Sequence, residues 1–194
     1  MRRKILDQKG INFLTMTVVD WIDLFTRKVY CDIIIDSLKY CVENKGLIVY
    51  GYVIMPSHLH LMFEAQGEKD LSVIIKEFKS FTAREIINYI KNPKNIESRR
   101  AWLLNHFMNH GKAFKDSGSE NKVWMRGNYP CWVYSPHVIW QKLHYIHRNP
   151  KAAGIVTKAE YYRYSSAMEY KQRVGERRDF DGLVEMEFVS TAEL

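Results

Sequence analysis

Two histidines, His58 and His60, flank Leu59 just after Met55-Pro56-Ser57. On a β-strand the period of two puts both imidazoles on one face and Leu59 on the other. Two imidazoles so placed can clamp one metal ion, and they can equally be ordinary residues of a half-buried strand. Glu64, further along the same stretch, is the nearest acid able to join them. A second group is Tyr145-Ile146-His147-Arg148-Asn149-Pro150. Tyr145 and Asn149 are four residues apart and share one face of a helix. A tyrosine there can attack phosphorus, because a covalent intermediate splits one displacement into two easier ones. Asn149 can lend an amide oxygen to a cation. The chain has 12 tyrosines, and Tyr134, Tyr161, Tyr162 and Tyr164 compete for the same role.

The elements that carry these residues follow from periodicity. Ile11, Phe13, Thr15, Thr17 and Val19 alternate with other residues at strand period. Arg27 to Asn44 reads as a helix, with Val29, Ile33, Ile34, Leu38 and Cys41 at steps of three and four and Gly46 as its left-handed stop. Leu47 to Met55 is a strand, Pro56-Ser57 a turn, and His58 to Glu64 the returning strand of a hairpin. Leu71 to Ile90 is strongly helical. Asn92-Pro93-Lys94-Asn95 breaks it. Arg99 to His110 reads as a further helix, and Gly111 to Asn121 as a loop. Val123 to Met125 and Cys131 to Tyr134 are expected to be short strands. Ser135 suits an N-cap with Pro136 at the first helical position, opening a helix expected to stop at Asn149, before Pro150. From Lys151 the sequence reads as a wrapping tail. Strands and helices in this order predict an α+β fold, an antiparallel sheet with packed helices, closest to the ferredoxin-like split β-α-β arrangement.

With 194 residues the chain is long enough for a real core. Lys and Arg number 29 against 22 Asp and Glu, a net charge of +7, which favours a polyanionic partner. No run approaches the length of a membrane span, and no apolar leader follows the basic Met1-Arg2-Arg3-Lys4. Cys31, Cys41 and Cys131 form neither a CxxC pair nor a disulfide framework, so a reduced, cytoplasmic protein is expected.

Taken together, Gly51–Ala65 (GYVIMPSHLHLMFEA) and Leu143–Val156 (LHYIHRNPKAAGIV) resemble the single-tyrosine HUH transposases, in particular the REP-associated tyrosine transposases. Leu71–Ile86, Val123–Val133 and Tyr161–Tyr170 resemble the family in the same order. The likeness runs from about Ile11 to Tyr170, with an unfamiliar stretch at 92–122. Ser57 and Lys151 depart from the residues the family often has. Residues 1–170 are therefore expected to form the catalytic domain, and residues 171–194 a C-terminal tail.

The resemblance implies a ferredoxin-like core that binds single-stranded DNA hairpins. His58 and His60 would bind a divalent metal, Mg²⁺ or Mn²⁺, with Asn149 completing the site. Tyr145 would attack the scissile phosphate and hold a 5′-phosphotyrosine, leaving a free 3′-OH. Family members that swap catalytic helices build sites across a dimer, so monomer and homodimer are both open. Cations for the DNA are expected at Lys76, Lys79 and Arg84 on one helix and at Arg126. Arg99, Arg100, Lys112, Lys115 and Lys122 lie between them, with Trp124, Tyr129 and Trp132 as stacking faces or core residues. Two other readings use the same residues. One is a metallohydrolase in which the histidines activate water and Tyr145 is structural. The other is an inactive or domesticated DNA- or RNA-binding protein.

Overall fold

A computed structural model describes residues 5, 7–113, 121–128, 130–174, 184, 186 and 187. Four strands form one antiparallel sheet: β1 (Asn12–Thr17), β2 (Leu47–Met55), β3 (His58–Ala65) and β4 (Cys131–Trp132), in the order β2-β3-β1-β4. Both β1 and β2 run antiparallel to β3, so they are parallel to each other with β3 between them. Helix α1 (Lys28–Lys45) connects them, which makes a split β-α-β unit. Helices α2 (Leu71–Lys91) and α3 (Arg100–Ala113) then lead to β4 beside β1. This is the ferredoxin-like order expected from the sequence.

The two faces of the sheet hold separate cores. Leu14, Met16, Leu59, Leu61 and Phe63 pack with Ile34 and Leu38 of α1 and with Ile74, Ile75 and Phe78 of α2. Each such buried aliphatic contributes about 1.5–3 kcal/mol of transfer free energy. Phe13, Val53, Met55 and Met62 point the other way and meet Leu143 and Ile146 of α4 (Pro136–Ala152). Gly51 lets α4 sit close on β2: a Cβ there would meet Leu143 Cδ1 at 2.7 Å.

Local signals explain most boundaries. Gly46, at φ 64°, ends α1 in the left-handed conformation. Ser135 Oγ accepts from Val138 N–H at 3.4 Å, with Pro136 at the helix start. Helix α4 nevertheless runs past Asn149 to Ala152. Pro150 forgoes its own backbone bond to the Ile146 carbonyl but does not end the helix, and Ala153 N–H still donates to Asn149 O at 2.9 Å. The expected strand at Val123–Met125 reduces to a single bridge between Trp124 and Val18, and Tyr134 lies outside β4. Helix α3 continues through Gly111 to Ala113.

The segment from Lys151 is more ordered than a tail, with a 3-10 turn at Ala159–Tyr161 and helix α5 (Ala167–Val174). Helix α5 crosses the expected 170/171 boundary. Beyond it Val184 is buried, and Glu187 N–H donates to Val49 O at 3.0 Å. No helix among the described residues is long and apolar enough to cross a membrane. Cys31, Cys41 and Cys131 are all free thiols.

Candidate active site

The hairpin that carries the histidines is tied at its turn. Val18 N–H donates to Ser57 O at 2.9 Å, and Phe25 N–H to Pro56 O at 2.8 Å. β3 leaves this turn with His58 opposite Thr17 and His60 opposite Thr15. The alternation puts Leu59 in the α1–α2 core and both imidazoles on the opposite face, with ring centroids 4.7 Å apart. Phe13 stacks on His60 at 5.5 Å, and the exposed Trp21 meets His58 edge-on at 5.4 Å.

His60 is 4% exposed. Its Nδ1 lies 2.8 Å from Thr15 Oγ1, while its buried Nε2 has no hydrogen-bond partner. If Nδ1–H donates to Thr15, the Nε2 lone pair is left for an electrophile, the usual arrangement of a metal-binding histidine. His58 Nδ1 is likewise 3.2 Å from Ser57 Oγ. Burial, then His58, then the charge of Lys142, push His60 down to about 3; burial lowers His58 as well. Both imidazoles are therefore neutral near pH 7, the form that binds metal. An orphaned buried nitrogen beside a second neutral imidazole fits a divalent ion.

Helix α4 lies over this face and brings Tyr145 to the pair. Its ring is 5.1 Å from that of His60 and 6.0 Å from that of Phe13, and half of the residue remains exposed. His147 anchors the helix from its buried side: its Nε2 is 2.9 Å from Ser166 Oγ, which also accepts from Tyr52 N–H at 3.1 Å. Asn149 sits one turn beyond Tyr145. Its Nδ2 donates to Tyr145 O at 3.5 Å, so the amide oxygen Oδ1 is the atom it could offer a cation. Of the four residues expected in the site, His60 touches both His58 and Tyr145, and Asn149 is joined to Tyr145 through that residue's backbone carbonyl.

Thr15, Phe13, Trp21 and Lys142 are parts of this site that sequence reasoning missed. Thr15 and Phe13 share the strand period already read for β1, so their facing was legible once β1 was paired with β3. Lys142 lies three residues before Tyr145, with its Nζ 5.0 Å from the centroid of the Phe13 ring.

The expected DNA-contacting cations are spread differently. Helix α2 covers the sheet face opposite the histidines, so the exposed Lys76 and Arg84 stand on the far side of the sheet. Arg84 lies over Phe81, 5.2 Å from its centroid. Lys79 donates to Met125 O and Asn128 Oδ1, at 3.0 and 2.7 Å. It thereby fixes the segment that carries the exposed Arg126. That segment runs beside β1: Met125 N–H donates to Thr17 O, and Thr15 N–H to Asn128 O. Trp124 is buried, with its indole N–H on Thr82 Oγ1 at 3.0 Å. Trp132 is 46% exposed beside Tyr134. Lys115 and Tyr129 lie outside the described residues.

Residues 21–129 match the family profile described as "Transposase IS200 like". That span is more than half of the chain and contains both histidines. The chain belongs to the IS200-like transposase family. Tyr145 and Asn149 lie beyond the matched span of this transposase. Its fold is similar to that of a solved REP-associated tyrosine transposase bound to a REP hairpin, with a TM-score of 0.63 and 14% identity, covering 98% of this chain and 99% of the other. A second solved structure, a transposase candidate from Deinococcus radiodurans R1, is 19% identical with a TM-score of 0.43, covering 75% of this chain and 95% of that one. Comparison with curated proteins finds no match.

Proposed function

We propose that this transposase nicks and rejoins single-stranded DNA at hairpin ends, with Tyr145 as nucleophile. The observation that carries the reading is the 5.1 Å approach of the Tyr145 ring to His60, on the one sheet face where two neutral imidazoles meet. His58, His60 and the Asn149 amide oxygen would hold a divalent ion, Mg²⁺ or Mn²⁺. When bound, such an ion polarises the scissile phosphate and eases departure of the 3′ oxygen.

The side chains do the rest. The Tyr145 phenolic oxygen attacks phosphorus and loses its proton to solvent. The O–P bond forms as the P–O3′ bond breaks, and the 3′ oxygen takes up a proton. The 5′ side stays on Tyr145 as a phosphodiester of tyrosine, so a later 3′-OH can reverse the step without ATP. Thr15 holds the His60 tautomer. Lys142, one turn before Tyr145, offers a cation to the phosphate, and Phe13 walls the pocket.

Arg126, on the segment that Lys79 holds beside β1, contacts a phosphate further along the hairpin, whereas Lys76 and Arg84, on the far side of the sheet, have no part in that path. The exposed Trp132 and Tyr134 suit stacking of unpaired bases. Nucleophile and histidines come from one chain, so the reading needs no second copy. The free thiols suit a reducing cytoplasm.

The test uses a labelled hairpin oligonucleotide with a single-stranded flank. Wild-type protein should cleave it with Mg²⁺ or Mn²⁺ and stop on chelation. His58→Ala and His60→Ala should bind it within a few-fold of wild type yet fail to cleave. Normal cleavage by folded His60→Ala would overturn the metal reading.

A further inference from the structure

A second set of metal-ligating side chains lies away from His58 and His60. Among the described residues, Asp20, His106 and His110 bring one ligand atom each to within 4.8 Å of one another. His106 and His110 are one turn apart on α3 and present their rings side by side, with centroids 5.1 Å apart. The Nε2 atoms of both are 2.7 Å from the same oxygen, Asp20 Oδ2. Trp102 stacks on the far side of His106 at 5.4 Å.

The backbone that supplies Asp20 is unusual. Asp20 and Trp21 follow one another at φ 51° and 56°. Asp tolerates the left-handed region, but a tryptophan there is costly, and such strain persists only where the surroundings over-determine it. Here Val19 N–H is bonded to Val123 O at 2.8 Å, and the Asp20 carboxylate is held between two histidines of α3. With hydrogen bonds alone, both imidazoles must carry their proton on Nε2 and aim it at one oxygen. A single divalent ion would replace both protons and use the same three atoms.

We propose that Asp20, His106 and His110 form a second metal site, for a borderline divalent cation such as Zn²⁺, separate from the His58–His60 pair. Two imidazole nitrogens and one carboxylate oxygen favour zinc-like ions over Mg²⁺ or Ca²⁺. Tetrahedral zinc distances put ligand atoms roughly 3.3 Å apart, so the 2.7 Å contacts need open by only about 0.6 Å. The side chains have room for this, being 53%, 28% and 26% exposed for Asp20, His106 and His110. Three protein ligands leave a fourth position for water or a phosphate oxygen. The ion would clamp α3 to the turn after β1. Trp21, next to Asp20, meets His58 edge-on, so the clamp would also hold one wall of the first site. This gives the 92–122 stretch a role.

The test is metal stoichiometry in the full chain, read by Co²⁺ visible absorption and Zn²⁺ calorimetry. The His58→Ala/His60→Ala variant removes the first site from the count. In it, one equivalent of Co²⁺ should bind with d–d bands of a low-coordinate N/O site, and Zn²⁺ should displace it. Adding His106→Ala and His110→Ala should abolish both signals. Asp20→Asn, which preserves shape, should weaken them while circular dichroism stays native. Wild type should bind one equivalent more than the His106→Ala/His110→Ala variant. Absence of binding in the His58→Ala/His60→Ala protein, or equal stoichiometry with and without the α3 histidines, would overturn the proposal.

Discussion

Thr15→Val removes one oxygen from the wall of the site and keeps its shape. The hydroxyl is 2.8 Å from His60 Nδ1, on a side chain that is 4% exposed, and the other ring nitrogen has no hydrogen-bond partner. Without Thr15, Nδ1 becomes a buried polar atom with no partner, at a cost of about 1–3 kcal/mol. A domain of this size should lose a few degrees of melting temperature. The larger effect falls on the metal. Nothing then favours the tautomer that leaves Nε2 unprotonated, and loss of such a supporting contact typically weakens metal binding about 10–100-fold, or about 1.4–2.7 kcal/mol. Hairpin cleavage followed against Mn²⁺ concentration should show half-saturation shifted upward by that factor. The rate at saturation should stay within a few-fold of wild type. Thr15→Ser, which keeps the hydroxyl, should titrate near wild type. An unshifted Mn²⁺ titration of folded Thr15→Val would refute the assignment of His60 Nε2 as the ligating atom.

Two further outcomes are expected. Hairpin affinity should fall with salt at a log–log slope of about −0.7 per single-strand phosphate neutralised, and Arg126→Ala should make that slope shallower by about one contact; an unchanged slope in filter binding would remove Arg126 from the interface. Glu97 joins the Tyr30 hydroxyl, the Arg99 N–H and the Arg27 guanidinium at the base of α3. Burial would raise its pKa, but the Tyr30 and Arg99 hydrogen bonds and the two arginine charges outweigh it, and the net direction is down. A depressed carboxyl stabilises the fold above its unfolded value and loses that contribution as pH falls through the folded one. Urea midpoints of wild type should therefore fall relative to those of Glu97→Gln as pH drops below about 4.5, the ordinary Glu value, and parallel curves would contradict the assignment.

The sequence was most informative where a short-range period carried the information. Alternation alone placed His58 and His60 together and Leu59 in the opposite core, and helical spacing placed Tyr145 and Asn149 on one face. That α4 covers the histidine face rather than the other one depends on Gly51 and on the contacts of Leu143 with β2, which no local pattern encodes. Pro150 misled because a proline forgoes one backbone bond without having to end a helix, and α4 carries it inside and runs on to Ala152. Thr15 and Lys142 were missed for the same reason: each acts across an element boundary, one by strand pairing and one by helix docking. Asp20 carries no sequence signal at all, since its place between His106 and His110 follows from two left-handed residues in a turn.

The central claim is that Tyr145 becomes covalently attached to DNA. Wild-type protein incubated with a hairpin oligonucleotide and Mn²⁺, denatured, and digested with nuclease and trypsin yields the peptide Leu143–Arg148, in which Tyr145 is the one tyrosine. Mass spectrometry should find a nucleotide phosphate on that peptide and none after incubation of Tyr145→Phe, which should still bind the hairpin. The label on a peptide carrying Tyr134 or Tyr161, or full cleavage by Tyr145→Phe, would contradict the account.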